Sequence, residues 1–142
     1  MKKFQFRMAP ALAARRTLLE AAQGELAEVQ NRRQYAIELL EERRAGLLAA
    51  AGARSSESFD PASELLRQRH LKHLRDEIGR REHQILQLDT LVEQARDKVT
   101  EAYRDVRALE VLEEKDKAIW REETRREEQK ENDDFGSQRH NR

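Results

Sequence analysis

Residues 71–109 read LKHLRDEIGRREHQILQLDTLVEQARDKVTEAYRDVRAL, and an aliphatic side chain recurs in this stretch every seven residues. The aliphatic series consists of Leu71, Ile78, Ile85, Val92, Val99 and Val106. A second series follows three residues behind the first, at Leu74, Arg81, Leu88, Ala95, Ala102 and Leu109. The two series occupy the a and d positions of a heptad repeat, which predicts a long coiled-coil helix.

An earlier segment carries the same repeat. Its a series is Leu12, Leu19, Leu26, Arg33, Leu40 and Leu47, and its d series is Arg15, Ala22, Val29, Ala36, Arg43 and Ala50. One convincing break separates the two segments. There Gly52 is suited to end a helix in the left-handed conformation, and Asp60 is suited to cap the next helix with Pro61 in its first turn. The sequence therefore predicts an all-α fold, a two-helix antiparallel coiled-coil hairpin whose second helix is longer than its first.

The expected boundaries make the whole chain, 1–142, one hairpin. Helix 1 is predicted over about 8–51, the turn over 52–60, helix 2 over about 61–132, and a frayed tail over 133–142. A turn centred near Glu57 predicts the facing pairs Leu26 with Leu88, Val29 with Ile85, Ala36 with Ile78, and Leu40 with Leu74. This register also places Arg33 opposite Arg81, where both guanidiniums would have to reach acids such as Glu77 or Glu82. The alternative is a slip of one heptad.

Composition narrows the functional class. The chain has 142 residues, 28 basic and 28 acidic side chains, no Cys, and 39% charged residues. No disulfide or cysteine nucleophile is therefore expected, and the balanced charge disfavours a general nucleic-acid binder. No apolar run reaches the roughly 20 residues of a membrane span, and arginines interrupt the start of the chain, so we expect a cytoplasmic protein without direct membrane insertion.

No constellation of residues predicts catalysis. His70 and His73 lie one helical turn apart with Asp76 and Glu77 nearby, but a charge-rich helix supplies no cage around them. The glycines within the helical patterns stand singly, which excludes a phosphate-binding loop. We expect no enzyme, no cofactor and no metal site.

Three features remain as candidate contacts. The N-terminal end is basic, at Lys2, Lys3, Arg7, Arg15 and Arg16, and it either pairs with acids around Glu110, Glu113 and Glu114 or stays free. Phe4, Phe6 and Met8 form either a sticky end or a cap on helix 2 near Leu109 and Leu112. Trp120 is expected past the paired seam, on a shifted stripe with Leu112 and Ile119 in a tail that projects alone. Because Trp often anchors interfaces, it is a candidate partner contact.

The two ends of the chain also resemble a known family. Two motifs lie at the N-terminal end of the chain, Phe4-x-Phe6-Arg7 and Pro10-x-Leu12-x-x-Arg15-Arg16. Three motifs lie in the C-terminal part of the chain, Leu109-Glu110-x-Leu112-x-x-Lys115, Trp120-Arg121 and Arg126-Glu127-Glu128-Gln129-Lys130-Glu131-x-Asp133-Asp134. In this layout the chain resembles the bacterial flagellar FliJ family over essentially its whole length.

That resemblance implies a stalk component of the flagellar type III export apparatus, similar to the γ subunit of rotary ATPases. It implies that the two chain ends enter the pore of a hexameric export ATPase and promote its assembly. The residues carried over for this end are Phe6, Arg7, Arg15, Arg16, Trp120, Arg121, Arg125, Arg126 and Lys130. It also implies contact with the cytoplasmic part of the membrane export gate, through His70, Leu74, Glu77 and Arg81.

Further expectations follow from the same resemblance. Export chaperones are possible partners, the free protein is expected to be a monomer, and it would sit peripherally at the cytoplasmic face of the inner membrane through the apparatus. Two alternatives stay open, which are the equivalent stalk of a virulence type III secretion system and a plain structural or dimerising coiled coil. Salt-sensitive DNA binding through the basic N-terminus is a third, disfavoured by the overall charge balance.

Overall fold

The computed structural model describes residues 2–53 and 60–141, and these residues form two helices. Helix α1 runs over Ala9–Gly52 and helix α2 over Pro61–His140. The predicted helical hairpin with a longer second helix is confirmed. Glu57, the predicted centre of the turn, lies outside the described residues.

Asp60 begins α2 as the sequence predicts. Its carboxylate accepts a hydrogen bond from the backbone N–H of Ala62 at 3.2 Å and another from the Ser63 hydroxyl at 2.9 Å. These two hydrogen bonds lower the pKa of Asp60 below its ordinary value, and the bond from the Ser63 hydroxyl has the larger effect. Pro61 follows as the first helical residue, where its missing N–H costs no hydrogen bond.

The end of α1 differs from the expectation for Gly52. No described glycine has a positive φ, so Gly52 does not end the helix in the left-handed conformation. Instead, Ala53 continues the helical pattern by donating to the Ala49 carbonyl at 3.0 Å. Arg67 of α2 donates to the Ala51 carbonyl at 2.8 Å, which places a cation at the negative end of the α1 dipole. The last carbonyls of a helix lack partners within the helix, and here Ala53 and Arg67 donate hydrogen bonds to two of them. A glycine in the left-handed conformation is therefore not needed for this purpose.

The helices divide into two compact units, and the first described is Gln23–Lys98 (unit 2). Its buried residues all come from the predicted a and d series: Ala36, Leu40, Leu71, Ile78, Leu88, Val92 and Ala95. The remaining a and d positions of this unit are half-buried. The seam predicted from the heptad repeat is therefore the core of unit 2.

The predicted register of the seam is wrong by about one heptad. Arg33 does not face Arg81 but forms an ion pair with Asp89. The α2 partners of Arg43 and of Glu25 are likewise displaced toward the C-terminus of α2. The displaced register brings Arg33 to an acid, whereas the predicted one placed two guanidiniums opposite each other. Opposite charges therefore replace a repulsive layer.

Unit 1 consists of Met1–Ala22 and Val99–Arg142. Its core is a cluster of Phe6, Leu12 and Val106, with Phe4, Leu19 and Leu109 packed against it. The cap of N-terminal aromatic residues on helix 2 near Leu109 is therefore confirmed. Leu112 and Met8, at 39% and 40% relative exposure, do not belong to this cluster.

Helix α2 runs to His140, eight residues beyond the end predicted at about 132, so residues 133–140 are helical where the sequence predicts a tail. The sequence lacks apolar periodicity there, but it also lacks proline, and a single glycine such as Gly136 costs a helix only about 1 kcal/mol. Arg139 and His140 lie in the last turn, where positive charge favours the helix dipole. Neither described helix is long and apolar enough to cross a membrane.

Candidate partner-binding surfaces

Trp120 packs against the N-terminal segment. Its ring centroid lies 5.8 Å from that of Phe4, with the two planes tilted by 53°. Trp120 is half-buried, whereas Leu112 and Ile119 of the expected shifted stripe are exposed. Trp120 lies beyond the part of α2 that pairs with α1, as predicted, but the expectation that it sits in a tail that projects alone is wrong, because Phe4 covers it. Counting in sevens from Val106 reaches Glu113 and then Trp120, so Trp120 occupies an a position of the original repeat.

The aromatic pair joins the N-terminal segment to α2 within unit 1. Phe4 precedes α1, Trp120 lies in the last third of α2, and Phe6 is buried beside them in the same unit. A tilted pair at this centroid distance has the geometry that aromatic rings prefer. Arg7 and Arg121, next to Phe6 and Trp120 in sequence, are exposed. Of the predicted ATPase-binding end, the structure thus brings the N-terminal segment to the Trp120 region, while α2 continues for twenty residues beyond Trp120.

The basic residues of this end divide into paired and unpaired groups. Arg15 forms an ion pair with Asp105 at 3.3 Å, and Arg16 forms one with Glu110 at 3.4 Å. Pairing with helix 2 is confirmed for Glu110, while Glu114 pairs with Arg107 of its own helix at 3.6 Å. Within the described part of the chain, three exposed cations of the predicted site form no ion pair: Arg7, Arg121 and Lys130.

Arg125 and Arg126 share one acid on α2. Both donate to Glu122, Arg125 at 2.9 Å and Arg126 at 3.2 Å. The hydrogen bond from Arg125 is the main cause that lowers the pKa of Glu122, and the same bond raises the pKa of Arg125. Both guanidiniums remain exposed, so a partner's carboxylate could replace Glu122 as their ion-pair partner.

The predicted gate-binding residues lie in unit 2, and they are not equally accessible. His70 is exposed, whereas Leu74, Glu77 and Arg81 are half-buried along the seam. The Glu77 carboxylate lies 3.1 Å from Arg43 and 3.6 Å from Arg81. Arg81 does reach Glu77, as expected. A partner that binds here meets one exposed imidazole and an ionic layer that already holds the hairpin together.

Among the described residues, no group of three or more His, Cys, Asp or Glu side chains is arranged to hold a metal ion. His83 lies 3.4 Å from Gln87, and the described concavities are open to solvent and lined mainly by polar and charged side chains. The surfaces that remain are exposed helix faces and chain ends. Such surfaces suit contacts with other macromolecules.

These features define a class, the helical-hairpin proteins whose N-terminal segment packs on the longer second helix beside exposed cationic side chains. The family described as "Flagellar FliJ protein" matches residues 4–142, which is nearly the entire chain. The protein belongs to this family and is a component of the flagellar export apparatus. No curated protein and no solved structure matches the chain.

Proposed function

We propose that this protein is the stalk of the flagellar type III export apparatus, and that its unit 1 promotes assembly and activity of the export ATPase hexamer. The observation that carries the proposal is the packing of Phe4 on Trp120, which holds the N-terminal segment and the distal part of α2 together. A stalk must present both segments to one ring. The family membership supports the same role.

The contact chemistry follows from the unpaired side chains. Arg7, Arg121 and Lys130 are exposed cations without an ion pair in the described residues, so an acidic pore can bind them without first breaking a bond within the hairpin. Arg15 and Arg16 are already paired within unit 1. We therefore expect the unpaired cations to contribute more to ATPase binding than Arg15 and Arg16.

We also propose that unit 2 contacts the cytoplasmic part of the membrane export gate, with His70 as the most accessible of the four predicted residues. Through the gate and the ATPase, the protein would be held at the cytoplasmic face of the inner membrane. Export chaperones are further candidate partners. In each of these roles the protein acts by binding and not by catalysis.

The flagellar role is favoured over the two alternatives. The matched family is flagellar, which disfavours a virulence stalk. A dimerising coiled coil would need an apolar seam open to a second chain. In unit 2 the a and d positions are instead covered by the helices of one chain, which supports a monomeric hairpin.

The test measures ATP hydrolysis and ring formation by a purified flagellar export ATPase with and without this protein. We expect the native protein to increase both, and the Arg7→Ala/Arg121→Ala variant to lose most of the increase. A matched control, Arg69→Ala/Arg75→Ala, removes two exposed cations from unit 2 and should retain it. If the native protein leaves hydrolysis and ring formation unchanged, the proposed function is wrong.

A further inference from the structure

One face of α2 in unit 2 carries exposed leucines and cations together. The heptad positions that point away from the seam hold three strongly exposed leucines, Leu65 at 54%, Leu66 at 66% and Leu86 at 64% relative exposure. Between them, at outward positions of the same helix, lie Arg69, Lys72 and Arg80, all exposed. We call these six residues the outer strip.

The cations of the outer strip have no partner within the described residues. None of Arg69, Lys72 and Arg80 forms an ion pair there, although Arg43, Arg44 and Arg81 of the same unit all do. The same stretch holds three acids, of which Glu77 and Glu82 are paired with arginines, so Asp76 alone offsets the cations locally. The outer strip is therefore locally basic on a chain whose net charge is zero.

We propose that the outer strip adsorbs to an anionic phospholipid surface. The strip has exposed leucines at its two ends and cations between them, and helices that lie in the headgroup region of a bilayer combine apolar side chains with Lys and Arg in this way. The unpaired cations complement anionic headgroups, and the leucines gain an apolar environment that they lack on the hairpin. This contact goes beyond the proposed function and does not depend on the ATPase or the gate.

A bilayer fits the outer strip better than an acidic protein segment does. From Leu65 to Leu86 the strip extends for about 30 Å along a convex helix face. The concavity lined by Arg80 of the strip together with His73, Glu77, Arg81 and Gln84 has a volume of about 390 Å³, is open to solvent and is lined by none of the three leucines. A bound peptide needs a groove with matched pockets, whereas a fluid bilayer conforms to a convex face.

The experiment is flotation of the full-length protein with vesicles of phosphatidylcholine alone or mixed with phosphatidylglycerol. We expect binding to the mixed vesicles only, and we expect it to weaken as salt is raised, because salt screens exposed charges. Each Lys or Arg near an anionic surface contributes about fivefold in affinity, so Lys72→Gln/Arg80→Gln should bind about 30-fold more weakly. Leu65→Ser/Leu86→Ser should also lose binding.

The matched control is Arg104→Gln/Lys115→Gln, which removes one Arg and one Lys that are exposed and unpaired in the described part of α2, outside the strip. It should bind like the native protein, and circular dichroism should show every variant folded. Equal loss in the control, or no binding to mixed vesicles, overturns the proposal. Retention on a polyglutamate column without vesicle binding also overturns it, in favour of an acidic protein segment.

Discussion

Replacing Trp120 by Ala should destabilise the hairpin, and the effect should depend on Phe4. Truncating a fully buried Trp or Phe to Ala costs about 3–5 kcal/mol, and both rings here are half-buried, so each single variant should lose about 2 kcal/mol. An aromatic pair in this geometry contributes about 0.5–1.5 kcal/mol beyond its buried area. The double variant should therefore lose about 1 kcal/mol less than the sum of the single losses.

The assay is urea unfolding followed by circular dichroism for the native protein, Phe4→Ala, Trp120→Ala and the double variant. Tyr103→Ala serves as the control, because Tyr103 is an aromatic residue of the same unit that is 58% exposed. It should change the free energy of unfolding by less than about 0.5 kcal/mol. Because Trp120 is the only Trp, its fluorescence in Phe4→Ala should also shift to the red as water reaches the ring. Losses that add up within about 0.3 kcal/mol would refute the coupling.

Three further predictions concern the fold. Ile78→Asp places a charge in the core of unit 2 and should lower the free energy of unfolding by more than about 3 kcal/mol, as measured by urea unfolding. Arg67→Ala removes the guanidinium bond to the Ala51 carbonyl and should cost about 1 kcal/mol by the same assay, whereas an unchanged midpoint would show that this bond does not stabilise the end of α1. The pKa of Asp60 is lowered in the folded protein, so its stabilising contribution is present above the ordinary value of 3.8 and is lost as pH falls through the folded pKa. Asp60→Asn keeps a capping side chain and should lose less stability on acidification than the native protein in thermal melts, while identical pH dependence of the two would contradict the prediction.

The seam of unit 2 could be predicted from sequence because burial repeats with the heptad. Residues such as Leu71 and Ile78 are buried where the pattern placed them. The register could not be predicted with the same certainty, because a slip of one heptad leaves every a and d position in the seam. The two registers differ in the charge that faces Arg33. The predicted register places Arg81 there, whereas the structure places Asp89 there.

The role of Trp120 was missed although the sequence carried a signal for it. The shifted stripe of Leu112, Ile119 and Trp120 suggests that the seam ends, whereas the seven-residue count from Val106 continues through Glu113 to Trp120. The partner ring, Phe4, precedes α1 and lies outside its repeat, so helical periodicity alone could not identify it. Trp120 thus has an aromatic partner within the chain, although its sequence context suggested only an external one.

The free cations of the candidate site illustrate a further limit of sequence reasoning. Arg15 and Arg121 look equivalent in sequence, but Arg15 is bound to Asp105, while Arg121 has no ion pair among the described residues. The difference depends on which residues the register brings across the seam. Only the structure therefore separates the cations available to a partner from those that hold unit 1 together.

The central claim is that unit 1 is the ATPase-binding end of this protein. It is tested most directly by placing a photo-crosslinking amino acid at Arg121 in one variant and at Tyr35, exposed in unit 2, in another. After irradiation with the purified export ATPase, we predict a cross-linked product from position 121 and none from position 35. A cross-link from position 35 alone, or from neither position, would contradict the claim.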